Sequence, residues 1–264
     1  MTEWDRRGQV ELNRRRFLKQ IGARDFDLAS VRQVHSSHVF AVLQSAAGQL
    51  QYQPSGIETA KCTATSPPAG DGLMTAEAGI LLTIRIADCL PVLLVDTRRR
   101  VIAAVHAGWR GALDRIIEKA VGDLRQVFGC DPSHMIAALG PSIRACCYEV
   151  GEEVVEAFHG RFAHADRFFQ MLAQRPGMAP HHDSIPFLSA YPPGHAPEHL
   201  PIARLDLVAV AGFQLASAGV KPAHVLVADL CTACRTDLFF SHRREGGRTG
   251  RQMAVVGIRP GKRD

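Results

Sequence analysis

The feature that most constrains this chain is a pair of apolar runs, PVLLVD (91–96) and RVIAAVHA (100–107), separated by only Thr97, Arg98 and Arg99. A connection that short and polar joins neighbouring antiparallel strands, whereas a parallel crossover needs about a dozen residues or more. Pairing Val95 with Arg100 or Val101 sets Cys89 opposite His106 or Ala107. Directly opposed Cβ atoms lie about 5 Å apart, so the hairpin brings a thiol and an imidazole within reach of one metal ion.

The rest of the chain supplies further strands and helices. GILLTIRI (79–86), HMIAALG (134–140), HVLVADL (224–230) and QMAVVGI (252–258) read as strands, and VRQVHSSHVFAVL (31–43) as two short strands around a Ser-Ser turn. Residues 9–22 have helical periodicity. So does 111–129, where Leu113, Ile116, Ile117, Ala120, Leu124 and Val127 share a stripe ending at Gly129. Segments 151–160 and 204–219 read as two more helices. The proline- and histidine-rich stretch 174–201 reads as a long loop, and its His181, His182, His195 and His199 have nothing to position them. No repeat interrupts the pattern, so one mixed α/β domain over 1–264 is expected.

At 264 residues the chain can bury one substantial core. The opening MTEWDRRGQVELNRRRFLKQ is too polar for a secretory signal and no apolar run reaches membrane-spanning length, which predicts a cytoplasmic protein with no membrane partner. Seven irregularly spaced cysteines suit free thiols or metal ligands better than a disulfide framework. The net charge of +5 comes from basic residues near the two ends and in the turn 98–100. No aromatic residues interleave them as a base-stacking surface would require, so a small anionic substrate is expected rather than nucleic acid.

A thiolate and an imidazole suit zinc, and His35, in RQVHSS, is the best third ligand. Two His and one Cys leave a fourth tetrahedral position open, as in catalytic rather than structural zinc sites. In HAGWRG, Gly108 and Gly111 permit a sharp turn and Arg110 falls at a helix start, where an anion is favoured. Arg243 and Arg244, in SHRREGG, form a second anion candidate, and Asp71 in GDGLMT is a polar neighbour of the site. CTAC (231–234) has the spacing of a zinc knuckle without a second CxxC, so it reads as a strand end with thiols near a pocket. The vicinal Cys146 and Cys147 read as small buried apolar side chains.

RQVHSS, GDGLMT, RIADCLPVLLVD, AAVHAGWRGAL, AALGPSIRACCYEVGEEV, LDLVAVAGFQL, CTAC and FFSHRREGGRTGRQ occur in this order between Glu11 and Ile258. In this the chain resembles the laccase-domain (polyphenol oxidase) family, whose members are purine nucleoside phosphorylases, some of them named peptidoglycan editing factors. The resemblance implies a layered αββα sandwich of mixed sheets. It also implies zinc held by His35, Cys89 and His106, with copper the ion of the older laccase label. The implied activities are phosphorolysis of adenosine, inosine, guanosine or methylthioadenosine, and hydrolytic deamination of adenosine. The chain has no His-x-His pair of the kind that blue-copper electron-transfer centres use. Family members usually carry some further N-terminal residues, so this chain looks shortened at its start, and His242 stands where the family's SYRR motif has tyrosine.

On that resemblance Cys89, His106 and His35 form the catalytic centre. Arg110 and Arg243 grip phosphate, because a guanidinium offers an oxyanion two donors. Gln33 and Asp88 orient the substrate. Two other classes stay open at this point. Cys89 could be a nucleophile with His106 as its base, in an amide hydrolase acting on cell-wall precursors. A zinc-stabilised partner of cell-wall or division proteins would hold metal and turn over no nucleoside.

Overall fold

The computed structural model describes residues 7–55, 62–63, 67–172 and 202–261. The long loop 174–201 and its histidines lie outside the described residues. The central layer is an eight-stranded mixed sheet. Its order is Val225–Val227, Met135–Leu139, Leu90–Asp96, Val101–Ala107, Gly72–Thr75, Val39–Gln44, Leu50–Pro54 and Cys62–Thr63. A second sheet orders Asp27–Ser30, Ile80–Ile86 and Gln252–Gly257.

Alternation along the hairpin explains the layering. Val101, Ala103, Val105 and Ala107 join one buried cluster with helices Ile116–Phe128 and Leu207–Ser217, while Ile102 and Ala104 join another with Ile80, Leu82 and Ile84 of the second sheet. Behind that sheet, Leu18 and Phe17 of helix Arg7–Gln20 pack on Leu81 and Val255. The order helices, sheet, sheet, helix is the αββα sandwich. His106 and Cys89 have the same parity as Ile102 and Leu93, so both belong to the face turned toward the second sheet.

Three expectations are corrected. Asp96 pairs with Val101 and Pro91 with His106, so Cys89 lies opposite Gly108, not His106 or Ala107. The cause is Arg100, which adopts a left-handed φ of 54° and joins the turn. The turn is capped by Asp96, whose carboxylate accepts from the amides of Arg98 and Arg99. Because the shift from the Val95–Arg100 pairing is two residues, the face is preserved and Cys89 is the diagonal neighbour of His106.

The segment 31–43 is not two strands: only Val39–Gln44 is a full strand, and His35 sits in the preceding loop with φ of 60°. The stripe 111–129 is not one helix either. It divides into Trp109–Leu113 and Ile116–Phe128 at Arg115, whose φ is 58°. Fully buried Gln214 bridges the break: its amide donates to Ala112 O and accepts from the N–H groups of Ile117 and Glu118. Three of the backbone groups at the interruption are thereby given a partner. Gly129 ends the second helix as expected, and Val127 lies on its exposed side.

Candidate functional site

His106, Cys89 and His35 converge where the hairpin ends. Their ligand atoms lie within 4.8 Å of one another, with His35 Nε2 3.7 Å from Cys89 Sγ and the two imidazole centroids 5.0 Å apart. Gly108 makes this approach possible. A Cβ there would come within 2.8 Å of the His35 ring and 3.1 Å of Cys89 Sγ.

Asp71, which has no exposed surface, organises the cluster. One carboxylate oxygen accepts from His106 Nδ1 at 2.8 Å and from the His35 amide at 3.0 Å. The other accepts from the amide of Ser36 at 2.7 Å and its hydroxyl at 2.9 Å. These bonds hold the loop in the left-handed turn at His35. They explain why residues 34–36 leave the sheet: their N–H groups are spent on a side chain.

Burial alone would raise the Asp71 pKa. The His106 and Ser36 hydrogen bonds outweigh it and bring the carboxyl down to about 2. An ionised Asp71 can only accept, so Nδ1 of His106 carries a proton. Burial would lower the His106 pKa, but the hydrogen bonds to Asp71 and Cys89 raise it to about 9, so the metal-free ring is an imidazolium whose Nε2 proton a metal ion would displace. This is the carboxylate–histidine arrangement that orients metal ligands. Burial likewise opposes ionisation of Cys89, yet hydrogen bonds from His106 and His35 draw its thiol down to about 6. A thiolate and two imidazoles, with the room left by Gly108, fit a borderline-soft divalent ion.

The cluster lies in a cleft of about 860 Å³ also lined by Trp109, Tyr148 and Phe240. That is the size of a small-molecule site. Arg110 and Arg243 both line it, Arg110 stacked on Trp109 and Arg243 over Tyr148. The helix expected to present Arg110 to an anion is a five-residue turn, so any anion binding there belongs to the side chain rather than to a helix end. Arg244 turns elsewhere, its Nε donating to Ala233 O.

Gln33 and Asp88 line the cleft, but protein donors and acceptors occupy them. Gln33 makes both of its amide contacts to the backbone of Arg85, at 2.8 and 2.9 Å. Asp88 accepts from Thr232 Oγ1 and the Arg243 amide, each at 2.6 Å. These bonds fasten the segment 232–243 beside Cys89.

Sequence reasoning missed Tyr148 and the basic group Arg14, Arg85 and Arg251, which all line the cleft. Burial first, then the charges of Arg14 and Arg251, lower the Arg85 pKa. The clustering of basic residues near the two ends gave a signal for Arg14 and Arg251, whereas Arg85, inside the apolar strand Ile80–Ile86, gave none. The thiols were also misjudged. Cys146 is exposed and Cys147 half-buried, and this vicinal pair lies beside the two cysteines of CTAC.

The family model described as multi-copper polyphenol oxidoreductase laccase matches residues 1–259. Purine nucleoside phosphorylase YlmD of Geobacillus stearothermophilus is 33% identical over 255 residues, covering 97% of this chain and 81% of that protein. Adenosine deaminase RL5, from an unknown prokaryotic organism, is 32% identical over 239 residues, covering 90% and 77%. The crystal structure of Bacillus licheniformis hypothetical protein YfiH aligns with a TM-score of 0.77 at 26% identity, over 98% of this chain and 84% of that one. Matched along nearly its whole length, the chain belongs to the multi-copper polyphenol oxidoreductase laccase family.

Proposed function

We propose that the protein is a zinc-dependent enzyme of purine nucleosides, cleaving them with phosphate and deaminating adenosine. The observation that carries this is the set His35, Cys89 and His106, one ligand short of a closed site, at the wall of an aromatic, arginine-lined cleft. The names of its relatives, a purine nucleoside phosphorylase and an adenosine deaminase, point the same way. When bound, zinc would supply Lewis acidity, including a water whose pKa falls to about 7.

The chain's own residues account for the rest. Asp71 keeps a proton on Nδ1 of His106 and so turns Nε2 toward Cys89 and the position a metal would take. Tyr148 stays a phenol at neutral pH, because burial and then the nearby Cys89 charge raise its pKa. Its ring, with Trp109 and Phe240, offers flat apolar surface to a purine. Arg110 and Arg243 hold phosphate against the sugar, so that an oxygen of phosphate bonds to C1′ as the C1′–N9 bond breaks. The described residues contain no helix long and apolar enough to cross a membrane. The free cysteines fit the reducing environment of the cytoplasm.

A second reading rests on one specific observation. Cys89, His106 and Asp71 are in series, with the thiol drawn down to about 6, as a cysteine nucleophile with its base and orienting acid would be. His35 beside the thiol has no task in that chemistry. The test is purified protein incubated with a nucleoside panel, with and without phosphate, and products resolved by chromatography. Phosphate-dependent release of free base and phosphate-independent conversion of adenosine to inosine are expected. No turnover of any nucleoside, with Cys89 alkylated freely by iodoacetamide before any chelation, would favour the amide hydrolase.

A further inference from the structure

Cys146, Cys147, Cys231 and Cys234 lie outside the cluster just described and have no part in its chemistry. Their four sulfurs are all within 4.8 Å of one another, with Cys234 at 3.6 Å from Cys146 and 3.4 Å from Cys147. Tetrahedral zinc with Zn–S bonds of about 2.3 Å separates its sulfurs by about 3.8 Å. A disulfide requires about 2.05 Å. The spacing therefore matches ligands of one ion, and a multinuclear cluster needs its cysteines further apart.

The two turns that carry the sulfurs are already fixed to each other by backbone. Ser142 bridges Cys231, Thr232 N–H donates to Ser142 O at 3.0 Å, and the Arg144 amide approaches Cys231 Sγ at 3.5 Å. That last contact is the N–H···S type a thiolate favours. Arg144 and Arg244 donate to the carbonyls of Ala228 and Ala233, on either side of Cys231, and bring positive charge to the flanks of what would be a dianionic site. Four thiolates are the donor set of closed structural zinc sites.

We propose that these four cysteines hold a second, structural zinc ion that ties the turn 145–147 to the turn 231–234 and so fixes one wall of the cleft. The connections to that wall are short. Tyr148 follows Cys147 in the chain, Thr232 follows Cys231 and donates to Asp88, and the Ile143 amide donates to Asp88 O at 2.8 Å. Asp88 in turn precedes Cys89. Binding releases the thiol protons to solvent and changes no oxidation state.

The test is metal analysis of full-length protein purified under reductant without chelators. Wild type is expected to carry two zinc ions per chain. Cys89→Ala and the double variant Cys231→Ser/Cys234→Ser should each carry one, and the combined variant none. Should the double variant fail to fold, peptide mapping of wild type decides. Zinc should protect Cys146, Cys147, Cys231 and Cys234 from iodoacetamide until a strong chelator exposes them. One zinc per chain that Cys89→Ala removes entirely would overturn the proposal and leave the proposed function standing. Stoichiometric iron or copper on these cysteines, a disulfide among them in the reduced preparation, or free alkylation in zinc-loaded protein would also overturn it.

Discussion

Asp71 accepts a hydrogen bond from Nδ1 of His106 at 2.8 Å, and the same oxygen takes the amide of His35, so one buried carboxylate sets the direction of two candidate ligands. Asp71→Asn keeps the shape but removes the charge, and one face of the amide presents a donor to groups that donate. Zinc affinity is expected to fall about 10–100-fold, as for other partners of metal-ligating histidines. Stability should fall by roughly 3–5 kcal/mol, the usual result of breaking a buried charged pair. Zinc titration and urea unfolding measure the two effects separately.

Gly108 has φ of −74°, which any residue adopts, so alanine there tests space rather than backbone strain. Its Cβ would press on His35 and Cys89 together. Gly108→Ala should fold with a near-normal thermal midpoint and lose most of its zinc at the His35–Cys89–His106 site. Retention of full zinc content would show that the close approach of the three side chains is not what binds the ion.

The Cys89 thiol titrates at about 6 against an ordinary 9.0, because its hydrogen bonds from His106 and His35 outweigh burial. The thiolate is the form that iodoacetamide attacks. In chelator-treated protein, alkylation of Cys89, followed by peptide mapping, should therefore rise as pH passes up through about 6. In zinc-loaded protein it should stay low across the range. The linkage has a definite sign: a depressed folded-state pKa contributes stability that is complete above the unfolded value and lost as pH falls through about 6. His106 acts with the opposite sign. Burial would lower its pKa, but the hydrogen bonds to Asp71 and Cys89 raise it to about 9, so the stability it contributes is lost as pH rises through about 9. The two contributions largely cancel, and metal-free protein should change little in stability between about 6 and 9.

Much of this architecture was legible in the sequence because burial on two faces imposes a pattern. The runs at 79–86, 91–96 and 100–107 became the strands Ile80–Ile86, Leu90–Asp96 and Val101–Ala107, and the hairpin put Cys89 and His106 on one face. What the sequence hid was decided by side chains reaching across the fold. Apolar periodicity runs through Arg115 without a mark, since the helix break there is stabilised by Gln214, nearly a hundred positions away. His35 looked like a strand end because nothing nearby announces that Asp71 captures its loop. The thiols of Cys147 and Cys234 are 87 positions apart, so the CTAC spacing looked solitary.

Arg110 and Arg243 reach the cleft from separate elements, one stacked on Trp109 and the other over Tyr148. A charge-assisted hydrogen bond to an anion contributes roughly 1.5–3 kcal/mol. Each of Arg110→Ala and Arg243→Ala should thus raise the KM for phosphate by about tenfold or more, with zinc content at the His35–Cys89–His106 site unchanged. Phosphate saturation identical to wild type in both variants would move the anion to Arg14, Arg85 and Arg251 instead.

The proposed function requires a metal on His35, Cys89 and His106 for chemistry on nucleosides. The most direct test follows adenosine by chromatography in phosphate-free buffer, on one preparation before chelation, after chelation and after zinc is restored, with metal content measured each time. Inosine formation is expected to be lost with the zinc and to return with it, while Cys89→Ala should show neither binding at this site nor turnover. Inosine formation that continues at the original rate after complete zinc removal would contradict the proposed function.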